Sequence, residues 1–349
     1  MSPQRARLAV IVSAWVLIST LSLPFAAAAA AASAQQTPPP ESQILRLDPA
    51  LDAVIAPGTK IERTANGFKF TEGPMWRAGR LWFSDLVDDK VLAVTPAGKA
   101  EVLLTNSGGV KNPPPNSYLG SNALVTDHDG SVLMIQQGSR KIVRLDSQLH
   151  IHPFLDSYQG KKLNSPNDMV FAPDGSLWFT DPPFGLTGMD RDPAKELPFN
   201  GVFRYSGGVL TAAITDFTLP NGIGFSPDGK TLYVSNYGPK RYVKAFQYAP
   251  DGKLTNPHML IEYSDDTAGK EGPDGLKIDT AGNIWTTGPG GIRIITPQSK
   301  VLGQIKLPEV AANLAFADEG KTAYITASTS IYRLRVATPG EMPLYSRQR

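Results

Sequence analysis

Short apolar segments alternate with glycine-containing turns along most of the chain, and one unit of this pattern occurs six times. Each unit has a polar residue, an apolar strand, a turn with Gly and a second apolar strand. A clear copy runs from Asn167–Phe171 through the turn Pro173–Gly175 to Leu177–Phe179. Gly tolerates the positive φ that tight turns require, so each unit predicts a β-hairpin.

The polar residue that begins each unit defines what we call a lead position. The lead positions are Glu72, Asn122, Asn167, Asn221, Asp274 and Asn313. They are separated by 50, 45, 54, 53 and 39 residues. Each interval also holds a second strand pair, of which Lys141–Leu145 is one member. Four strands in each period of roughly 40–50 residues indicate a propeller blade. The sequence therefore predicts an all-β, six-bladed β-propeller.

The regions flanking the six units predict how the ring is completed. No segment keeps an apolar period of 3.6 residues, so we expect little helix. We expect Leu51–Phe70 to supply the outer strand of the last blade, closing the ring and leaving few free strand edges. This assigns residues 46–336 to the propeller, 35–45 to a Pro-rich linker and 337–349 to a frayed C-terminal tail.

The first 34 residues predict a targeting segment. Arg5 and Arg7 precede a long apolar run, and Ala32–Ala34 has the small residues of a signal-peptidase site. We predict cleavage after Ala34 and export to the periplasm or beyond. Because the apolar run is long for a signal peptide, an uncleaved membrane anchor is the alternative.

Charge and cysteine content exclude several classes of function. The chain has 34 basic and 32 acidic residues, and removal of residues 1–34 takes away two basic ones and leaves 32 of each. A neutral chain has no general attraction to nucleic acid or anionic lipid, so we expect neither partner after cleavage. The chain has no Cys, which excludes disulfides, thiolate catalysis and Cys-based zinc sites. Oligomeric state stays open.

All six lead positions carry a side-chain oxygen donor. In a propeller the innermost strand of each blade lines the central channel, so we expect these side chains to meet on the axis. Glu72 and Asp274 are carboxylates and the others are amides. Such donors suit one divalent cation, Ca²⁺ first, with Mn²⁺ or Zn²⁺ as alternatives. The competing interpretation is that Asn and Asp before Gly are ordinary turn residues.

Three further polar residues end the second strand of their hairpins. Asp85, Asp181 and Asn236 follow their lead positions by 13, 14 and 15 residues. We expect them one strand length along the channel or across its mouth, with Asp181 in contact with substrate. The alternative is a buried polar plug of the channel.

Five segments carry a resemblance to known proteins: Phe70–Trp76, Ser165–Asp168, Trp178–Leu186, Leu219–Gly222 and Gly272–Gly275. With them the chain resembles the gluconolactonase and regucalcin family of SMP-type lactonase propellers. The resemblance spans about residues 50–335. It implies that Glu72, Asn167, Asn221 and Asp274 bind the metal, and that Asp274 is also the general base. One departure lies in the second blade, where many relatives have Cys-Glu-His and this chain has Ile135–Gln137.

The resemblance implies hydrolysis of a small sugar-type lactone. The metal would act as a Lewis acid, while Asp274 takes the proton of the attacking water. Direct ligation weakens a carboxylate as a base, so Asp181 is the alternative base. Asn122 and Asn167 would orient substrate hydroxyls. Two other functions stay open: a non-catalytic ligand-binding propeller with a structural ion, or an enzyme that hydrolyses a non-sugar ester.

Overall fold

The computed structural model describes residues 41–263 and 271–346. This part of the chain contains 27 strands, one helical turn at Leu51–Val54 and one 3-10 turn at Met189–Arg191. The strands form six antiparallel blades of four or five strands and one small hairpin, Ser157–Tyr158 with Lys161–Lys162. The predicted six-bladed propeller with little helix is confirmed.

Blades 1 to 3 are four-stranded meanders in chain order. Blade 1 consists of Thr71–Arg77, Arg80–Asp85, Lys90–Val94 and Ala100–Thr105. Blade 2 consists of Ser121–Thr126, Val132–Gln136, Lys141–Leu145 and Ile151–Leu155. Blade 3 consists of Met169–Phe171, Leu177–Asp181, Asn200–Ser206 and Val209–Phe217.

Blade 4 repeats this plan, whereas blades 5 and 6 also recruit strands from the N-terminal region. Blade 4 consists of Pro220–Phe225, Thr231–Asn236, Arg241–Tyr248 and Leu254–Tyr263. Blade 5 consists of Leu276–Ile278, Ile284–Gly288, Gly291–Ile295, Val301–Lys306 and Gln43–Arg46. Blade 6 consists of Ala311–Ala317, Thr322–Ala327, Ser330–Arg335 and Glu62–Asn66.

Two N-terminal strands cover the outer edges of the last two blades. Glu62–Asn66 pairs antiparallel with Ser330–Arg335, which closes the ring as predicted. Gln43–Arg46 pairs antiparallel with Val301–Lys306 at the edge of blade 5. The predicted linker therefore ends before residue 43, because these residues satisfy backbone groups of an otherwise open strand edge.

The apolar core lies between adjacent blades, where their faces stack. Trp178 of blade 3 is fully buried and packs edge-on against Phe225 of blade 4, with ring centroids 5.9 Å apart. Trp285 of blade 5 packs in the same way against Phe316 of blade 6, at 5.5 Å. Burial of each large apolar side chain contributes roughly 1.5–3 kcal/mol, so inter-blade stacking is the main stabilising term.

The C-terminal segment lies across the channel at the far end of the inner strands. The Glu341 amide donates to the carbonyl of Ile278 at 2.9 Å, at the end of the blade 5 inner strand. The Tyr345 ring packs on Phe171, at the end of the blade 3 inner strand, with centroids 4.9 Å apart. The prediction of a frayed tail is therefore wrong for residues 337–346, which pack against this end of the inner strands.

The predicted signal peptide, residues 1–34, and residues 35–40 lie outside the described residues. Signal cleavage and export therefore stay predictions. Within the described residues, no helix has both the length and the apolar character needed to cross a bilayer.

Candidate site on the propeller axis

Glycines that follow lead positions let neighbouring blades approach closely near the axis. A Cβ atom on Gly73 would lie 2.2 Å from the carbonyl oxygen of Asn122 in the next blade. A Cβ atom on Gly275 would lie 2.0 Å from the side-chain Cγ of Asn313. Real Cβ atoms do not approach so closely, so any larger residue would push adjacent lead residues apart.

Hydroxyl groups on second strands hold the lead residue of the following blade. In each case the hydroxyl donates to the lead residue's carbonyl oxygen, which fixes the backbone from which the lead side chain projects. The donor–acceptor pairs are Ser84–Asn122, Thr180–Asn221 and Ser235–Asp274, each at 2.7 Å.

Glu72, Asp168 and Asp274 form a carboxylate cluster at the axis. Glu72 and Asp168 are each 4% exposed, whereas Asp274 is half-buried. Burial and the nearby Asp168 carboxylate raise the pKa of Glu72. Burial, followed by repulsion from Glu72 and Asp168, raises the pKa of Asp274 well above its usual range. Glu72 and Asp168 are therefore close enough to Asp274 to disfavour its ionised form.

Two amide side chains from lead positions bond to this cluster. Asn313 Nδ2 donates to Glu72 Oε2 at 3.0 Å, and the Asn221 side chain donates to the Asp274 carboxylate. These bonds favour the ionised carboxylates and so oppose the rise in both pKa values. The structure thus brings together four of the six lead positions.

The donor set fits a hard divalent cation. Asn221 Oδ1 is buried and accepts no hydrogen bond from the described residues. A buried acceptor without a donor beside carboxylates that repel one another is costly unless a cation binds there. In the described ranges no three His, Cys, Asp or Glu side chains are arranged as a metal-binding group. A bound ion would therefore need amide and water oxygens as well as Glu72 and Asp274.

Asn122 and Asn167, the predicted substrate-orienting residues, are both buried. Asn122 Nδ2 donates to Gln137 Oε1 at 2.8 Å, and Gln137 Nε2 donates to the carbonyl of Tyr118 at 2.8 Å. The backbone N–H of Asn167 donates to the carbonyl oxygen of Thr180 at 2.9 Å. The side chain of Asn122 is thus held by Gln137, while Asn167 is positioned through its backbone.

Blade 2 contains Ile135–Gln137 where many relatives have Cys-Glu-His. In this segment Gln137, and not Gln136, lies beside a lead residue, Asn122. Gln136 Nε2 donates to the carbonyl of Ser107 at 2.9 Å and is buried there. The strand ends at Gln136, so consecutive glutamines face different surroundings.

The strand-end residues Asp85, Asp181 and Asn236 hold loops of their own blades. Each accepts a hydrogen bond from the backbone amide two residues before the lead position. The acceptor–donor pairs are Asp85–Phe70 at 3.0 Å, Asp181–Ser165 at 2.7 Å and Asn236–Leu219 at 2.8 Å. The second oxygen of Asp181 accepts from the Asn164 amide at 2.8 Å, and the residue is 0% exposed. Both oxygens of Asp181 are therefore bonded to backbone amides of blade 3, and its predicted contact with substrate stays a prediction.

Asp181 predicts a pH dependence of stability. Burial raises the pKa of Asp181 to about 7, against the opposing effect of its bonds from Asn164 and Ser165. The native state then holds a proton that the unfolded state loses near pH 4, so this group's contribution to the free energy of unfolding falls as pH rises from about 4 to about 7. We expect wild type to lose about 2 kcal/mol relative to Asp181→Asn between pH 5 and pH 8.

Urea denaturation of both proteins at the two pH values measures this difference. The comparison between variants removes the contributions of Glu72 and Asp274, which both proteins share. Asp85→Asn, at the equivalent position of blade 1, is the control for replacing a carboxylate by an amide. Parallel pH profiles for wild type and Asp181→Asn would contradict the prediction.

Two residues of the cluster were missed by sequence analysis: Asp168 and Lys277. Asp168 directly follows a lead position, and Lys277 lies between the buried Leu276 and Ile278. Lys277 Nζ is 3.5 Å from Asp168 Oδ2. A charged residue between two buried apolar residues of an inner strand was the available signal, because side chains alternate along a strand.

Known proteins resemble this chain over most of its length. A gluconolactonase from Zymomonas mobilis is 35% identical over 312 residues, which covers 85% of this chain and 87% of that protein. The solved structure of a gluconolactonase from Xanthomonas campestris has a TM-score of 0.73 at 29% identity, covering 86% of this chain and 99% of that one. The solved structure of regucalcin from Agrobacterium tumefaciens, described as a calcium-binding protein, has a TM-score of 0.62 at 17% identity. The match covers 80% of this chain and 98% of the regucalcin chain, and it supports the fold alone.

A family model locates the similarity on the propeller itself. Residues 70–329 match the model described as the SMP-30/Gluconolactonase/LRE-like region. This range contains all six lead positions and the inner strands that carry them. The chain therefore belongs to the SMP-30/gluconolactonase family.

Proposed function

We propose that this protein hydrolyses a lactone, as a carboxylic-ester hydrolase. The observation that carries the proposal is the polar cluster of Glu72, Asn221 and Asp274 on the axis of the propeller. Family membership and the similarity to a Zymomonas mobilis gluconolactonase over most of both chains support the same reaction.

The proposed site includes one divalent cation, held by Glu72, Asn221 and Asp274, with Asn167 as a further ligand. The buried, unbonded Asn221 Oδ1 and the crowded carboxylates support this assignment. Oxygen-only donors favour Ca²⁺, and Mn²⁺ or Zn²⁺ are alternatives. A bound cation would polarise the lactone carbonyl and lower the pKa of nearby water.

Asp274 is the proposed general base. It is the most exposed carboxylate of the cluster, and the Asn221 amide orients it through a hydrogen bond. As a water oxygen attacks the carbonyl carbon, Asp274 accepts the water's proton. When the bond between the carbonyl carbon and the ring oxygen breaks, that proton passes to the departing alkoxide, giving a hydroxy acid. Asn122, held by Gln137, is proposed to orient substrate hydroxyls together with Asn167.

The proposed substrate is a small sugar-type lactone. Amide side chains such as Asn122 and Asn167 donate and accept hydrogen bonds, which suits a ring carrying several hydroxyl groups. A lactone without hydroxyls would not form these hydrogen bonds in the transition state and should react more slowly.

A lactone panel with controlled metal content tests the proposal. Chelator-treated protein is assayed by pH indicator on D-glucono-1,5-lactone, γ-butyrolactone, an acyl-homoserine lactone and phenyl acetate, with spontaneous hydrolysis subtracted. We expect activity to disappear on chelation and return with Ca²⁺, Mn²⁺ or Zn²⁺, with the highest kcat/KM on the sugar lactone. If metal raises the melting temperature but no ester is hydrolysed, the protein is a binding propeller instead. A preference for phenyl acetate would reject the sugar lactone but retain the hydrolase.

A further inference from the structure

Lys277 places a fixed positive charge against the carboxylate cluster. We infer that Lys277 is a built-in counter-cation that makes the cluster electrically neutral with a divalent ion and thereby sets both the affinity and the charge selectivity of the site. This inference rests on the cation site of the proposed function and assigns a role to a residue outside the proposed ligand set.

The position of Lys277 is fixed by its strand. Leu276 and Ile278 are 0% and 4% exposed and pack against blade 4, so the side chain between them lies on the opposite face of blade 5, toward Asn313 of blade 6. The Lys277 side chain is 25% exposed, and it borders a cavity of about 250 Å³ that separates the cluster from the C-terminal segment. The other cavity walls are mostly apolar, with Met169 and Phe316 among them.

The ammonium group of Lys277 is turned toward the cluster. Nζ lies 2.9 Å from the carbonyl oxygen of Leu276, 3.2 Å from Asn313 Oδ1 and 3.5 Å from Asp168 Oδ2. Asn313 in turn donates to Glu72 Oε2 at 3.0 Å. Lys277 therefore pairs with one carboxylate directly and with a second through the Asn313 amide.

The negative charges of the cluster are balanced only by the Lys277 ammonium group and a divalent ion together. Ionised Glu72, Asp168 and Asp274 carry three negative charges, and Lys277 carries one positive charge. A divalent ion supplies the remaining two. Because uncompensated buried charge is strongly unfavourable, this balance favours divalent over trivalent ions and lets Lys277 support the cluster before an ion binds.

The same charge repels any ion at the site, more strongly as the ion's charge increases. Lys277→Met removes that repulsion while keeping a long side chain in the channel. With three negative charges left unopposed, a trivalent ion would now neutralise the cluster. We expect the affinity for Ca²⁺ to increase at least about tenfold, and that for Tb³⁺, an ion of similar size and higher charge, by a larger factor.

Calorimetric titration of chelator-treated protein with Ca²⁺ and with Tb³⁺ tests this inference. Lys277→Arg keeps the charge and should retain wild-type affinities within a few-fold, and Lys277→Gln keeps a hydrogen-bond donor to Asn313 without the charge. We expect Lys277→Gln and Lys277→Met to shift in the same direction. Both should also melt at a lower temperature than wild type in excess chelator at pH 8, because the cluster has lost its counter-cation.

The outcomes separate this inference from the proposed function. Folded Lys277→Gln with wild-type affinity for both ions and a wild-type melting temperature in chelator would overturn the role of Lys277 while leaving the cation site intact. If wild type binds neither ion, the cation site of the proposed function fails. The inferred control of ion affinity by Lys277 then fails with the site, whatever the melting temperatures of the variants.

Discussion

Asp274→Asn is expected to lower kcat on the preferred lactone about 10³-fold, within the range that a general base contributes. The amide keeps an oxygen that can accept the bond from Asn221 and bind a cation, but it cannot take a proton from water at neutral pH. The loss should therefore fall on kcat and not on the fold. Steady-state kinetics at saturating metal measures it.

The control for this substitution is Asp216→Asn, whose side chain is 71% exposed on blade 3. It makes the same chemical change far from the axis and should retain wild-type kcat. Near-normal turnover by metal-saturated Asp274→Asn would exclude Asp274 as the base while leaving the cation site untested by that result.

Glu72→Gln is expected to change cation affinity and metal-free stability in opposite directions. Loss of one of two ligand carboxylates should weaken Ca²⁺ binding about 100-fold, because the number of charged ligands sets the affinity of such sites. The same change removes a buried carboxylate whose pKa is raised by burial and by Asp168, so the metal-free protein should be stabilised by about 1 kcal/mol or more at pH 8, where the group is ionised. Glutamine Oε1 still accepts the bond that Asn313 donates to Glu72.

Calorimetry with Ca²⁺ and thermal melting in chelator measure the two halves of this prediction. Glu101→Gln, 61% exposed in a surface pair with Arg80, is the matched control and should change neither quantity appreciably. A Glu72→Gln protein that is less stable without metal would indicate that Glu72 acts as an ordinary structural residue. Unchanged Ca²⁺ affinity would remove Glu72 from the ligand set.

The blades and the lead positions could be predicted from sequence because both depend on local patterns. A Gly turn between two apolar strands specifies a hairpin wherever it occurs, and its repetition specifies a propeller. Ring closure by residues 62–66 could be predicted because Leu51–Phe70 precedes the first unit and belongs to no hairpin of its own. The meeting of Glu72, Asn221, Asp274 and Asn313 then follows from the symmetry of the ring.

Other parts depend on contacts that no local pattern specifies. Asp181 ends a strand as an active-site residue would, yet it accepts backbone bonds from Asn164 and Ser165. The C-terminal segment contains no copy of the repeat. Its position depends on Gly340, which packs so closely on the Phe316 ring that an added Cβ atom would lie 1.8 Å from it. Lys277 was visible only as a charge within an apolar strand, which by itself does not say which partner it meets.

Anomalous diffraction from crystals soaked in Mn²⁺ shows directly whether a cation binds on the propeller axis. We expect one strong peak on the propeller axis, within bonding distance of carboxylate oxygens of Glu72 and Asp274 and of Asn221 Oδ1. If saturating Mn²⁺ gives no axial peak, or a peak bound by other residues, then Glu72, Asn221 and Asp274 do not form a cation site.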